Sequence, residues 1–122
     1  MANKKFITGR GPVDTPEVYG DYESARIFDK LHVGSLGVYF REGFRWRFIS
    51  YDDMDRAFIR IQQAYAVKTV GALTYDYFRM VFVHDGKEFA EYLSEDEKAM
   101  DDALAEISRH GVATGFVRAE AS

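Results

Sequence analysis

The sequence predicts an α+β, mainly β fold, an antiparallel β-sandwich or open barrel capped by a C-terminal amphipathic helix. Three observations carry this. Aromatic residues make up 16% of the 122 residues, with Phe 10, Tyr 8 and Trp 1, a bias toward strands. Two β-rich pairs of segments are each joined by a short glycine-containing turn. One segment near the end, residues 94–110, carries a helical apolar stripe behind an N-cap signature.

Residues 1–20 hold both prolines, Pro12 and Pro16, with Gly9, Gly11 and Gly20. They read as an irregular or partly disordered lead-in, with a short strand around Phe6-Ile7-Thr8. Residues 21–33 are open between a short helix and a strand running on through Leu31 and Val33.

Leu36–Phe40 and Phe44–Ile49 form the first hairpin. Taking Glu42-Gly43 as its two-residue turn sets Tyr39 opposite Trp46 and Val38 opposite Arg47. One face then carries Tyr39, Phe44, Trp46 and Phe48, and the other Leu36, Val38, Phe40 and Ile49 with Arg45 and Arg47. Both faces are apolar, so alternation alone does not say which is inside.

Residues 50–67 admit two readings. Met54, Ala57, Phe58, Ile61, Ala64 and Tyr65 have helical spacing, behind Ser50 or Asp52 as a cap, and periodicity alone favours helix. Phe58-Ile59-Arg60-Ile61 after an Asp52-Asp53-Met54 turn suits a strand.

Thr69–His84 is a strand, Asp85-Gly86 a type I′ turn, and Lys87–Leu93 the return strand. A plain two-residue turn sets Phe82 opposite Phe89 and Phe78 opposite Leu93. Phe78, Met80, Phe82, Phe89 and Leu93 would then face the core, with Tyr77, Arg79, Glu88 and Tyr92 toward water.

In residues 94–110, Ser94 and Glu97 form a capping box, Met100, Ala103, Leu104 and Ile107 make the stripe, and Gly111 ends the helix. Residues 112–122 read as a short strand or tail. The expected organisation is thus a lead-in over 1–20, one domain over 21–115 and a tail over 116–122.

Composition excludes several function classes. There is no cysteine, so thiolate metal sites, disulfides and cysteine nucleophiles are out. Net charge is −4, split as +2 over residues 1–84 and −6 over 85–122, which disfavours a general nucleic-acid binder. Two lysines near the N-terminus precede no apolar run, and no segment is long enough to span a membrane, so the expected location is cytoplasmic. His32, His84 and His110 have no helical metal spacing, and Asp52-Asp53-Met54-Asp55 lacks the glycine and glutamate of a calcium loop. No nucleophile elbow, phosphate loop or dinucleotide fingerprint is present. No metal or cofactor is expected.

The segment Gly37-Val38-Tyr39-Phe40-Arg41, followed by Trp46-Arg47-Phe48 and Ile49-Ser50-Tyr51-Asp52-Asp53-Met54, resembles small bacterial pleckstrin-homology-like (PH-like) domains over roughly residues 33–110. Serine stands where the family's segment usually has proline. The resemblance implies a strand over residues 56–66 and a non-catalytic binding module, and transfers no ligand-binding residue.

The expected function is therefore binding or assembly, with a protein partner or a second copy of the chain. Tyr75, Tyr77 and Tyr92 are expected on an exposed sheet surface. The alternative is recognition of an anion: a lipid head group, a phosphorylated ligand or single-stranded nucleic acid. Its candidates are Arg41, Arg45, Arg47 and Arg60 with Trp46, near Arg56, Phe40, Phe44 and Phe58. It requires Arg45, Arg47 and Arg60 to be exposed together, whereas pairing to Asp52, Asp53 and Asp55 would make them structural. Trp46 suits a core position as well as a stacking platform. A third reading is a small-pocket enzyme using His84 with Asp85 or Glu88.

Overall fold

A computed structural model describes residues 4–68 and 71–118. The described strands form two sheets. The first has six strands: β1 (Phe6–Thr8), β2 (Gly11–Val13), β3 (Arg26–Phe28), β4 (Leu31–Val33), β5 (Gly37–Glu42) and β6 (Arg45–Ser50), in the order β2-β1-β6-β5-β4-β3. The second has four: β7 (Arg56–Lys68), β8 (Gly71–His84), β9 (Lys87–Ser94) and β10 (Ala113–Arg118), in the order β10-β7-β8-β9. Helix α1 (Pro16–Ser24) follows β2, and α2 (Glu97–Ser108) precedes β10. The mainly β class with a helix near the C-terminus is as expected. The described strands close no barrel.

The expected lead-in is ordered structure over residues 4–20. Phe6 is fully buried, and β1 pairs in parallel with β6. Thr15 caps α1 by accepting from the Val18 amide, with Pro16 at the first helical position, where its missing N–H costs nothing. Of the two prolines that read as irregularity, Pro16 starts a helix and Pro12 lies in β2. Over residues 21–33 both readings apply in turn: the helix ends at Ser24, and β3 and β4 form a hairpin.

In the β5–β6 hairpin Glu42 pairs with Arg45, so the turn is Gly43-Phe44. Tyr39 therefore lies opposite Phe48 and Val38 opposite Ile49, two residues from the expected register. Gly43 takes φ +63°, the left-handed first position of a two-residue turn that glycine accepts. Both faces are buried. Val38, Phe40 and Ile49 join the main core, while Tyr39 and Phe48 pack with Phe6 and Val18 in a second core under α1. Leu36 belongs to the second core, not to the Val38 face as expected.

Residues 51–53 make one 3-10 turn capped by Ser50, and residues 56–68 are strand, not the helix that periodicity favours. Ala57, Phe58 and Ile59 are consecutive and all buried. A strand covered on both sides buries successive residues. Such a run also meets helical spacing, which is why the period misleads.

Asp85 and Gly86 have φ +51° and +75°, the expected type I′ turn. A bulge then shifts the β8–β9 register: Val83 pairs with Glu88, but Phe82 pairs with Ala90 and Phe78 with Ser94. One extra residue on β9 reverses its inside-out order from Ala90 onward. Tyr92 is consequently buried at 7% exposure and Leu93 is out at 58%, the opposite of what the plain hairpin predicts.

Helix α2 lays Met100, Ala103, Leu104 and Ile107 on the main core, as the stripe predicts. Its N-cap is Asp96, whose carboxylate accepts from the Ala99 amide. Ser94 instead accepts from the Asp96 amide, so the expected Ser94–Glu97 box does not form. The chain then returns as β10, parallel to β7.

Candidate functional site

The arginines singled out in the sequence have different partners. Arg60 on β7 donates to both oxygens of Glu88, at 3.3 and 2.7 Å. Arg79 on β8 donates to Glu91 at 3.2 Å. Arg56 and Arg60 lie over the Phe58 ring at 4.6 and 5.3 Å. Phe58 is exposed by only 4%, and long side chains such as these cover apolar surface through their aliphatic stems. The Arg60 guanidinium is held above its ordinary range and the Glu88 carboxyl below its own, each first by their mutual hydrogen bonds.

Arg45 and Arg47 share a face of β6, as expected. Arg47 donates to Glu42 at 3.1 Å and sits 5.8 Å over the Phe89 ring. Arg45 is exposed, with no ion pair among the described residues. Arg47 and Arg60 are thus each engaged by a glutamate, whereas Arg45 is not. The partners of Arg47 and Arg60 are glutamates, not Asp52, Asp53 or Asp55. Asp53 binds Arg10 at 2.9 Å, and Asp55 faces His84.

Arg41 and Trp46 do come together. They are a cross-strand register pair on β5 and β6, and both line an open cleft of about 1340 Å³ with residues from both sheets. Asp29, Lys30 and His32 from the β3–β4 hairpin line it, as do Phe40, Tyr77 and Arg79, and β9 with the residues that follow it contributes Glu91 to Asp96. Trp46 is half-buried against Phe6, Tyr22 and His32, with the Lys4 ammonium 4.6 Å from its ring centroid. It thus has a packed side and a side on the cleft.

His32 stacks on Tyr22, and its buried Nδ1 has no partner. Burial first, then the nearby Lys4 charge, lowers its pKa from 6.5, so the ring is neutral at pH 7. At the cleft's other wall the Tyr92 hydroxyl donates to Asp29 and accepts from the Lys30 amide. Burial and that carboxylate hold the phenol protonated well above the usual range. Sequence reasoning missed His32, Lys30 and Tyr92 as cleft residues. The inward turn of Tyr92 depends on the bulge, which no local pattern announced.

Of the aromatics expected to be exposed, Tyr77 is half-buried, Tyr92 is buried, and the Tyr75 side chain lies outside the described residues. Near the β8–β9 turn, exposed His84 lies 3.6 Å from both Asp55 and Asp85. One ligand atom from each of the three falls within 4.8 Å of the others. Glu88, the other acid expected beside His84, is engaged by Arg60.

A second feature is main-chain. Among the described residues β10 pairs with β7 as far as Ile61, and β9 pairs with β8 as far as Phe78. Beyond these, β7 and β8 continue together through seven register pairs, from Gln62–Tyr77 to Lys68–Gly71. No described strand pairs with the outer edge of either over this ribbon.

No helix among the described residues is long and apolar enough to cross a membrane. No protein-family model, curated protein or solved structure matches the chain.

Proposed function

We propose that this chain is a non-catalytic assembly module that associates with a second copy of itself by strand pairing. The observation that carries this reading is the β7–β8 ribbon. A two-stranded hairpin is marginal in water by itself, and free strand edges recruit further strands. Among residues 62–68 and 71–77 the only charges are Lys68 and Asp76. The ribbon thus has no net charge to repel a copy of itself and few of the charges that guard exposed edges. The second sheet's outer face, by contrast, is covered by paired Arg and Glu.

The resemblance to PH-like domains belongs to this proposal as well. The strand over residues 56–66 and the helix over 97–108 support it. The parallel placement of β1 and β10 and the open sheets are departures from the order it implies.

The test is a shortened ribbon in which Ala64–Tyr75 are replaced by Asn-Gly between Gln63 and Asp76, a register pair suited to closing a tight turn. The body keeps its β7–β10 and β8–β9 pairings. The variant is expected to fold and elute from size exclusion as a monomer, with the intact chain as a dimer. Equal elution of the two as monomers would reject the reading.

A further inference from the structure

We propose that the Arg41–Trp46 end of the cleft binds a small planar aromatic anion. Among the acids lining the cleft, Glu91 accepts from Arg79, Asp29 from Tyr92, and Asp96 caps α2. Only Glu95 has no hydrogen-bond or ion-pair partner among the described residues. Among the cations, Arg79 is engaged, whereas the Arg41 guanidinium and the Lys30 ammonium have no carboxylate partner among the described residues. Lys4, over the Trp46 ring, has none either.

Formal charge is balanced over the cleft, Asp29, Glu91, Glu95 and Asp96 against Lys30, Arg41, Arg79 and Lys4, so the positive character is local: Arg41 pairs in register with Trp46 and Lys4 lies over its ring, neither with a carboxylate partner among the described residues. Guanidinium is the side chain best shaped to take a phosphate or carboxylate by two parallel hydrogen bonds. The half-buried Trp46 and Tyr77, with the exposed Ile27 and Leu93, give the cleft apolar lining for a ring. A largely apolar cleft with a few converging polar groups is the ordinary form of a small-molecule site. The site involves neither the ribbon nor strand pairing, so it stands or falls apart from self-association.

Trp46 is the only tryptophan, so intrinsic fluorescence reports on this site directly. The probe is phenyl phosphate, titrated into the intact chain at low salt, with phenol and inorganic phosphate as its separated halves. The expected result is a saturable change with phenyl phosphate, at least about tenfold weaker with either half, and weakened further by added salt. Arg41→Gln should weaken phenyl phosphate about tenfold, the usual loss of one charged hydrogen-bonding group. Arg45→Gln, on the opposite face of the hairpin, should bind as the parent does. Both side chains are exposed, so both variants are expected to fold, which circular dichroism checks. The inference is overturned by any of three results: no saturable change up to about 10 mM phenyl phosphate, equal binding of either half alone, or equal loss in the Arg41 and Arg45 variants.

Discussion

The Tyr39 hydroxyl donates to Asp21 Oδ2 at 2.6 Å, joining the middle of β5 to helix α1. The same carboxylate accepts from the Ser35 and Leu36 amides at 2.7 and 2.9 Å. Asp21 thereby fixes the turn entering β5, and with it the surface on which the second core is built. Tyr39 is fully buried, so its hydroxyl has no water to turn to.

Asp21→Ala should accordingly be among the most damaging single changes outside the main core. Hydrogen bonds to a charged group contribute about 1.5–3 kcal/mol each, and a buried hydroxyl left alone costs about 1–3 kcal/mol. The contributions overlap, so a loss of about 3 kcal/mol is expected in urea unfolding. Asp21→Asn keeps one acceptor and should lose less. Gly34→Ala tests the same turn from the other side. A Cβ there would sit 2.3 Å from Asp21 Oδ2, so the carboxylate must move, at a cost of about 1–3 kcal/mol.

The β9 bulge makes a prediction that the plain hairpin reverses. Leu93→Ser should change stability by no more than about 0.5 kcal/mol, as exposed substitutions do. Tyr92→Ala should cost about 3–5 kcal/mol, as aromatic truncations in a core do. Thermal or urea unfolding of the pair decides the register.

Stability should fall at both ends of the pH range. Tyr39, Tyr51 and Tyr92 all have raised pKa values, first because they are buried. Unfolded tyrosine releases its proton near pH 10, so above that pH the unfolded chain binds fewer protons than the folded one. Stability is then lost as pH rises. His32 is depressed below 6.5 in the folded chain. Below about pH 6.5 the unfolded chain takes up a proton that the folded chain resists, and stability falls as pH falls. His32→Gln should flatten the acid limb between pH 6.5 and 5 and leave the alkaline limb unchanged. Chemical denaturation across pH measures both.

What the sequence disclosed follows from how local each signal is. The α2 stripe and the Asp85-Gly86 turn depend on neighbours within a few residues, and both are where they were expected. The β5–β6 register, the β9 bulge and the strand over 56–68 depend on pairing and burial across the sheets. Consecutive Ala57, Phe58 and Ile59 look helical until a sheet covers both their sides. For the site, alternation placed Arg45 and Arg47 together. Only the corrected register places Arg41 beside Trp46, and only the third dimension gives Arg60 to Glu88.

The central claim, self-association through the β7–β8 ribbon, is tested most directly by multi-angle light scattering of the intact chain at low and high salt. Apolar and main-chain pairing is screened little by salt, so the expected mass is that of a dimer at both salt concentrations. A monomer at both would contradict it.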